Sequence, residues 1–135
     1  MKMKNILPVI LILAALILTA CSSGETDSGA TPDSVPTEFT GKTNPLGADA
    51  ATAGAEIFKN NCTACHGEQG HGDGPAGAAL NPAPKNLPKL AATVDDDYLF
   101  WRISTGKEGT SMVAWRDVLT DEQIWQVISF VHTLK

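Results

Sequence analysis

The chain has 135 residues, 43% of them hydrophobic, and a formal net charge of −5. This length has room for one small domain. Ten basic side chains stand against fifteen acidic ones, which argues against nucleic acid as a partner because the phosphate backbone recruits basic surfaces. The composition therefore predicts one small domain that binds no nucleic acid.

The start of the chain has the pattern of an export signal. Lys2 and Lys4 form a basic start, and residues 6–18 are an apolar run too short to span a bilayer comfortably. The run ends in Leu-Thr-Ala followed by Cys21, which resembles the lipobox of bacterial lipoproteins, where the signal is cut before a cysteine that carries lipid. We therefore expect an exported protein, lipid-anchored through Cys21 to the outer face of the cell membrane or to a periplasmic membrane surface. The alternative is a plain secretory signal or an uncleaved anchor with an incidental cysteine.

The next segment, residues 21–48, is rich in serine, threonine, glycine, proline and acids. Its few large apolar side chains are Val35, Phe39 and Leu46. Such a segment is not expected to bury enough apolar surface to offset its ordering entropy, so we predict a flexible tether with a reach of about 30 Å. The predicted organisation is a lipoprotein signal peptide at 1–20, the tether at 21–48 and a folded domain at 49–135.

The motif that carries chemistry is Cys62-Thr63-Ala64-Cys65-His66, the pattern for attachment of c-type haem. Each thiol can add to a haem vinyl group, and the two-residue gap places both thiols on one turn against one porphyrin edge. The next residue, His66, then lies under the iron. We predict covalent haem attachment through Cys62 and Cys65, with His66 as an iron ligand.

Three other functions are open to a cysteine pair at this spacing. A thioredoxin-like redox pair belongs in a strand-to-helix setting, whereas the flanks here indicate a helix before and a glycine-rich loop after. A structural disulfide between cysteines on adjacent turns would close a trivial loop and stabilise little. A zinc site needs a second ligand pair, and the sequence has none at suitable spacing. Haem attachment is the interpretation that the flanks favour.

From about residue 49 to residue 135 the chain resembles the small, single-haem class I cytochromes c. The resemblance implies an all-α fold, with about three main helices and loops wrapped around one covalently bound haem c. It also implies that Met112, in the segment 109–115, is the second axial ligand of the iron. A methionine opposite a histidine raises the potential of an electron carrier. Val113 departs from many relatives, which carry proline after the methionine.

The residues around Met112 support that role, and two histidines compete for it. Met112 is the only methionine after the signal, and it lies between two helical segments, with small polar residues before it. His71 follows His66 so closely that the chain would have to wrap the porphyrin edge within a few residues. His132 belongs to the last helix, where we expect it to face solvent.

Three helices are predicted around this motif. The first spans 49–61, the second spans 95–105, and the third runs from a capping box at Thr120 and Gln123 to the end of the chain. The resemblance implies that the first and last helices cross closely, with the following residues at the crossing: Gly54, Phe58 and Phe130. Six apolar side chains are expected to wall the haem, namely Tyr98, Leu99, Phe100, Trp101, Ile103 and Trp115.

The segment 67–90 is rich in glycine and proline, and we predict loop there, with one helical turn at 76–80. The resemblance implies that a carbonyl from a proline-containing segment accepts a hydrogen bond from His66. The candidates are Pro75, Pro82 and Pro84, and we favour the segment 81–84. In a structure without haem we expect an apolar cavity between His66 and Met112.

The function that these features favour is a membrane-tethered electron carrier, whose partners are donor and acceptor proteins in or on the membrane. The alternative is a sensor, or a cytochrome c subunit of a larger respiratory or photosynthetic oxidoreductase complex. A small haem peroxidase or gas-activating enzyme needs an open iron position, which Met112 would fill. We therefore predict no catalytic residues and no enzymatic activity.

Overall fold

A computed structural model describes residues 32–135; the predicted signal peptide at 1–20 and the predicted lipid-attachment residue Cys21 lie outside this range. Within it the protein has five α-helices, one 3-10 turn and no β-strand, which confirms the all-α prediction. The helices are α1 (Ala50–Asn61), α2 (Thr63–His66), α3 (Leu87–Ala91), α4 (Asp96–Thr105) and α5 (Asp121–Val131), and the 3-10 turn is Gly77–Ala79. Among these residues, every helix is too short or too polar to span a membrane.

Helices α1 and α5 cross at Gly54, the position at which α1 carries only a hydrogen in place of a side chain. A Cβ placed on Gly54 would lie 1.9 Å from the carbonyl oxygen of Gln126, so only glycine permits this approach. Beside the crossing, the ring centroids of Phe58 and Phe130 lie 5.1 Å apart. The crossing expected from the resemblance is therefore present, and it fixes the end of α1, from which the cysteine motif continues.

Helix α5 begins at the predicted capping box. The side chain of Thr120 accepts a hydrogen bond from the amide of Gln123 at 3.2 Å, and the side chain of Gln123 accepts one from the amide of Thr120 at 2.9 Å. The prediction that this helix continues to the end of the chain is wrong, since it ends at Val131. The last residues turn away, and the carbonyl of Lys135 accepts a hydrogen bond from Nε2 of His71 at 2.9 Å. After Val131 the chain continues in tight turns, in which the amides of Thr133 and Leu134 donate to the carbonyls of Phe130 and Val131 at 2.8 Å and 3.1 Å.

Helix α4 packs its apolar face on α5. The ring of Phe100 stacks on that of Trp125, with centroids 4.2 Å apart and an interplanar angle of 27°. Both rings are buried in one core cluster with Tyr98 and Leu99. Aromatic pairs of this kind contribute packing beyond their buried area. The predicted helix at 95–105 is confirmed within one residue.

Helix α3 was not predicted, because it lies in the segment expected to be loop. Asn86 caps it, with its side-chain oxygen accepting a hydrogen bond from the amide of Lys89 at 3.0 Å, and Pro88 occupies the first turn. Five residues are too few to show a helical period, so only the cap and the proline signalled it. The predicted helical turn at 76–80 is present as the 3-10 turn.

Residues 32–48, here called the strap, pack against the helices and form one compact unit with the rest of the described chain. Phe39 is 5% exposed, and its ring centroid lies 6.3 Å from that of Phe100. The amide of Asn44 donates to Asp96 at 3.1 Å, and its side chain donates to the carbonyl of Trp125 at 3.1 Å. The prediction of a flexible tether at 21–48 is therefore wrong for the strap. Its few apolar side chains suffice because α4 and α5 supply the rest of the buried surface.

Candidate haem site

The cysteine motif occupies a helical turn that continues from α1 into α2. The amide of Cys62 donates to the carbonyl of Phe58 at 2.8 Å, and the amide of His66 donates to the carbonyl of Cys62 at 2.9 Å. Cys62 and Cys65 are half-buried free thiols, and residues three apart on a helix share a face. The structure therefore presents both thiols together, beside the imidazole of His66.

The proximal histidine has a backbone partner. Nδ1 of His66 lies 3.3 Å from the carbonyl oxygen of Lys85. A carbonyl only accepts, so Nδ1 carries the proton, and in the neutral ring Nε2 keeps a free lone pair. Burial lowers the pKa of His66, opposed by the contact with Lys85, and this favours the neutral ring. The favoured segment 81–84 stops one residue short of the carbonyl that the structure uses.

The loop after the motif lies against the turn with no room for side chains. A Cβ on Gly74 would lie 2.4 Å from the carbonyl oxygen of Thr63, and one on Gly77 would lie 2.4 Å from that of Cys65. Real Cβ atoms do not approach oxygen this closely, so these two positions need glycine. The glycine-rich composition of this loop is therefore a packing requirement, and the packed loop leads on to the Lys85 carbonyl.

Residues 106–115, here called the Met112 loop, fold back on the end of α4. The amide of Lys107 donates to the carbonyl of Met112 at 3.0 Å, and the amide of Met112 donates to the hydroxyl of Thr110 at 3.1 Å. At the far end, the amide of Trp115 donates to the carbonyl of Ile103 at 3.0 Å. The side chain of Met112 is half-buried. The predicted loop is present, and its backbone is held at both ends.

The two competing histidines are engaged elsewhere. Nε2 of His71 bonds the carbonyl of Lys135, as described above, and Nε2 of His132 lies 2.8 Å from a carboxylate oxygen of Asp96. His132 was expected to face solvent, and its side chain is 42% exposed but paired. These contacts support leaving both imidazoles out of the predicted ligand set.

The expected apolar wall divides into two parts. Tyr98, Leu99 and Phe100 are buried in the core cluster, whereas the other expected members pack at its margin; these are Trp101, Ile103 and Trp115. Because Tyr98, Leu99 and Phe100 are buried against other core side chains, they have less surface left to contact a cofactor.

Two open surface pockets of about 350 Å³ and about 430 Å³ lie among the described residues. Both lie beside Asp96 and His132, and neither is lined by His66 or Met112. The cavity expected between His66 and Met112 is therefore neither of these two. His66 and Met112 are both half-buried.

The environment of the thiols bears on the other functions of a cysteine pair. Burial raises the pKa of Cys62 to about 12, and the neighbouring Cys65 adds to the shift. Redox-active pairs depend on a thiolate with a lowered pKa, so the structure disfavours that function. In residues 32–135, no three His, Cys, Asp or Glu side chains are grouped closely enough to hold a metal ion.

Residues 49–131 match the family model described as cytochrome c oxidase, cbb3-type, subunit III. This match covers more than half of the chain, and the chain belongs to that family of c-type cytochrome domains. A c-type cytochrome domain holds haem c as its covalently bound cofactor, so haem c is the cofactor of this chain.

Curated relatives agree with this assignment. The chain is 32% identical over 100 residues to the cbb3-type cytochrome c oxidase subunit FixPc of Rhizobium leguminosarum, covering 70% of this chain and 31% of that protein. It is 34% identical over 86 residues to cytochrome c6 of Thermosynechococcus vestitus, covering 64% of this chain and 70% of that protein. The chain thus spans about a third of the oxidase subunit and most of the cytochrome c6.

A solved structure shares the fold. The Kuenenia stuttgartiensis reducing HAO-like protein complex contains a chain that superposes with a TM-score of 0.54 at 21% identity, covering 78% of this chain and 48% of that one. At this identity the likeness concerns the fold alone. The helical architecture described above is therefore one that a known protein complex also uses.

The donor groups of this structure fit haem c. The cofactor needs two thiols on one turn for its vinyl groups and a neutral imidazole with a free nitrogen for its iron. Cys62, Cys65 and His66 supply these groups, and the Lys85 carbonyl selects the tautomer. The thioether of Met112 is the only one in residues 4–135.

Proposed function

We propose that this chain is a single-haem electron carrier in which Cys62 and Cys65 hold the haem while His66 and Met112 ligate its iron. One observation carries the proposal. Nδ1 of His66 is occupied by the Lys85 carbonyl, beside two free thiols on the same helical turn. A ligating histidine with its other nitrogen engaged in this way is the usual arrangement at metal sites.

When bound, haem c supplies an iron centre that gains or loses one electron. The neutral ring of His66 offers Nε2 to the iron, and the Lys85 carbonyl raises the basicity of that nitrogen. The thioether of Met112 would be the second protein ligand of the iron, and a thioether favours reduced iron, which would raise the potential. Ala64, between the two cysteines, is exposed, so a redox partner can approach the attachment turn from solvent.

The test of electron transfer is a spectroelectrochemical titration of the haem-loaded full chain. We expect a reversible one-electron transition, with a slope of about 59 mV per tenfold change in the oxidised-to-reduced ratio. The protein should also survive repeated cycling in air without bleaching. An irreversible transition, or turnover of peroxide at enzymatic rates, would contradict the carrier function.

The lipid anchor is a second part of this proposal and is supported by the sequence around Cys21. Intact-mass analysis of membrane-derived protein should show a chain that begins at a diacylated Cys21, because two acyl chains are needed for stable anchoring. Cys21→Ser should leave uncleaved precursor or release soluble protein. An unmodified Cys21 in the mature wild type would contradict the anchor.

Membership of an oxidase-subunit family favours one other function, that of a cytochrome subunit within a larger oxidoreductase complex. Native electrophoresis of membranes solubilised in mild detergent distinguishes the two. A free carrier should run as a small species of single-chain size, since even the full 135 residues have a mass of only 14.2 kDa. Migration of all the haem-stained chain with an oxidase would favour the subunit.

A further inference from the structure

Asp33, near the start of the strap, contacts cations on two different elements. Its carboxylate forms ion pairs with the guanidinium of Arg102 on α4 and with Nζ of Lys107, the latter at 2.6 Å. The hydrogen bond from Lys107 is the main cause that holds the pKa of Asp33 below its usual value, so the carboxylate stays charged at neutral pH. One strap side chain therefore joins α4 to the beginning of the Met112 loop.

The guanidinium of Arg102, which contacts Asp33, has a restricted orientation. Its guanidinium lies 3.7 Å from the ring centroid of Trp101, and its side chain is only 16% exposed. Stacking on an aromatic face limits the orientations open to a guanidinium. Arg102 thus holds Asp33 in place, and Asp33 in turn holds the more exposed side chain of Lys107.

Lys107 is also the backbone partner of Met112. Its amide donates to the carbonyl of Met112, while its carbonyl accepts from the hydroxyl of Thr110 at 2.7 Å. That same hydroxyl accepts the amide hydrogen of Met112. Both backbone polar groups of Met112 are therefore linked to Lys107, directly or through one threonine, and a shift of Lys107 would move both.

The strap contacts the other end of the Met112 loop as well. The guanidinium of Arg116, the residue after this loop, lies 5.5 Å from the ring centroid of Phe39. Val35 and Trp115 pack against the same core cluster that contains Phe39. The strap therefore touches the chain at the start and just past the end of this loop.

From these contacts we propose that Asp33 is a positioning residue for Met112, acting through Lys107. The strap braces the Met112 loop, and the ion pair between Asp33 and Lys107 opposes movement of the thioether away from the iron. This inference rests on the proposed ligation by Met112, and it adds a residue 79 positions earlier in the chain.

Imidazole binding to the oxidised, haem-loaded full chain tests the proposal. Imidazole takes the sixth position only when the Met112 loop opens, so its apparent affinity reports loop opening. We expect Asp33→Asn to raise that affinity about two- to fivefold, the size expected of a partly exposed ion pair. Lys107→Gln should give a similar rise, and the double variant should give no further rise. Asp33→Glu should restore most of the wild-type behaviour.

The matched control is Glu38→Gln, which removes the same charge from an exposed acid of the same strap. It should keep the wild-type affinity. In about 1 M salt the wild-type affinity should rise toward that of Asp33→Asn, because salt screens the pair that only the wild type has. Wild-type affinity in Asp33→Asn, or an equal rise in Glu38→Gln, would overturn the positioning role. A wild-type protein without the sulfur-to-iron charge-transfer band would overturn the ligation by Met112 itself, before any imidazole is added.

Discussion

Nδ1 of His66 lies 3.3 Å from the carbonyl oxygen of Lys85, although the two residues are 19 positions apart in the chain. This contact sets which ring nitrogen is free. It also makes the basicity of the predicted iron ligand depend on how the intervening loop is packed.

Gly72 is the residue through which that packing can be altered. Its φ is +83°, and a Cβ there would lie 2.3 Å from the carbonyl oxygen of Pro84, next to Lys85. We expect Gly72→Ala to displace the Lys85 carbonyl and weaken its bond to His66. A less basic ligand should raise the reduction potential by about 40 mV, which corresponds to about 1 kcal/mol for a one-electron couple. Potentiometry measures the change.

The control for Gly72→Ala is Gly41→Ala. Gly41 has a similar φ of +76°, but a Cβ there meets nothing within 4 Å. Both substitutions strain the backbone, and only the first reaches the Pro84 carbonyl. Equal potentials in the two variants would show that the loop does not tune His66.

The crossing of α1 and α5 gives a stability prediction. A Cβ on Gly54 would overlap the Gln126 carbonyl, and a backbone oxygen cannot rotate away. We expect Gly54→Ala to lower the free energy of unfolding by about 2–3 kcal/mol, as overpacking does. Gly47→Ala, where a Cβ meets nothing within 4 Å, should change it by less than about 0.5 kcal/mol. Urea unfolding of the haem-loaded protein measures both, and equal stabilities would refute the close crossing.

The strap yields a second stability prediction. Phe39 is 5% exposed, and Phe39→Ala should cost about 2–4 kcal/mol of unfolding free energy because it empties a core position. Its neighbour Glu38 is exposed, so Glu38→Ala should be within about 0.5 kcal/mol of wild type. If the strap were a free tether, both variants would unfold at the wild-type urea concentration.

Covalent attachment is tested by extraction. Acid-acetone treatment should leave the haem on the wild-type polypeptide, since thioether bonds survive it. Cys62→Ser combined with Cys65→Ser should leave no attached haem, while His66→Ala should keep the thiols and alter the iron spectrum. Release of all haem from the wild type would contradict attachment at these cysteines.

Some of these features are readable from the chain because their causes are local. The capping box of α5 needs only Thr120 and Gln123, three residues apart, and the cysteine motif needs one turn. The strap could not be read in this way, since Asn44 bonds the carbonyl of Trp125, 81 residues away. Composition counts the apolar side chains of a segment, but it does not show the surfaces on which they will be buried.

In the candidate site, too, some residues can be predicted from local sequence and others only from tertiary contacts. Cys62, Cys65 and His66 follow from their spacing, and Met112 from its loop and the resemblance. The Lys85 carbonyl and the Asp33 carboxylate carry no motif, because a backbone oxygen and a lone acid have no sequence signature. Both take their proposed roles from tertiary contacts to His66 and Lys107.

Replacing Met112 should change the iron in defined ways. Met112→Ala should lose the sulfur-to-iron charge-transfer band of the oxidised protein and lower the potential, because water or hydroxide does not favour reduced iron as a thioether does. Met112→His should keep six ligands but also fall in potential. An unchanged band in Met112→Ala would assign the sixth ligand to another residue.

Carbon monoxide binding to the reduced, full-length wild type tests the central claim most directly. An iron already ligated by His66 and Met112 has no open position, so binding should be slow or absent, whereas Met112→Ala should bind rapidly. Rapid binding by the wild type would show a five-coordinate iron. That result would contradict the His66 and Met112 carrier and favour a gas-binding or catalytic haem.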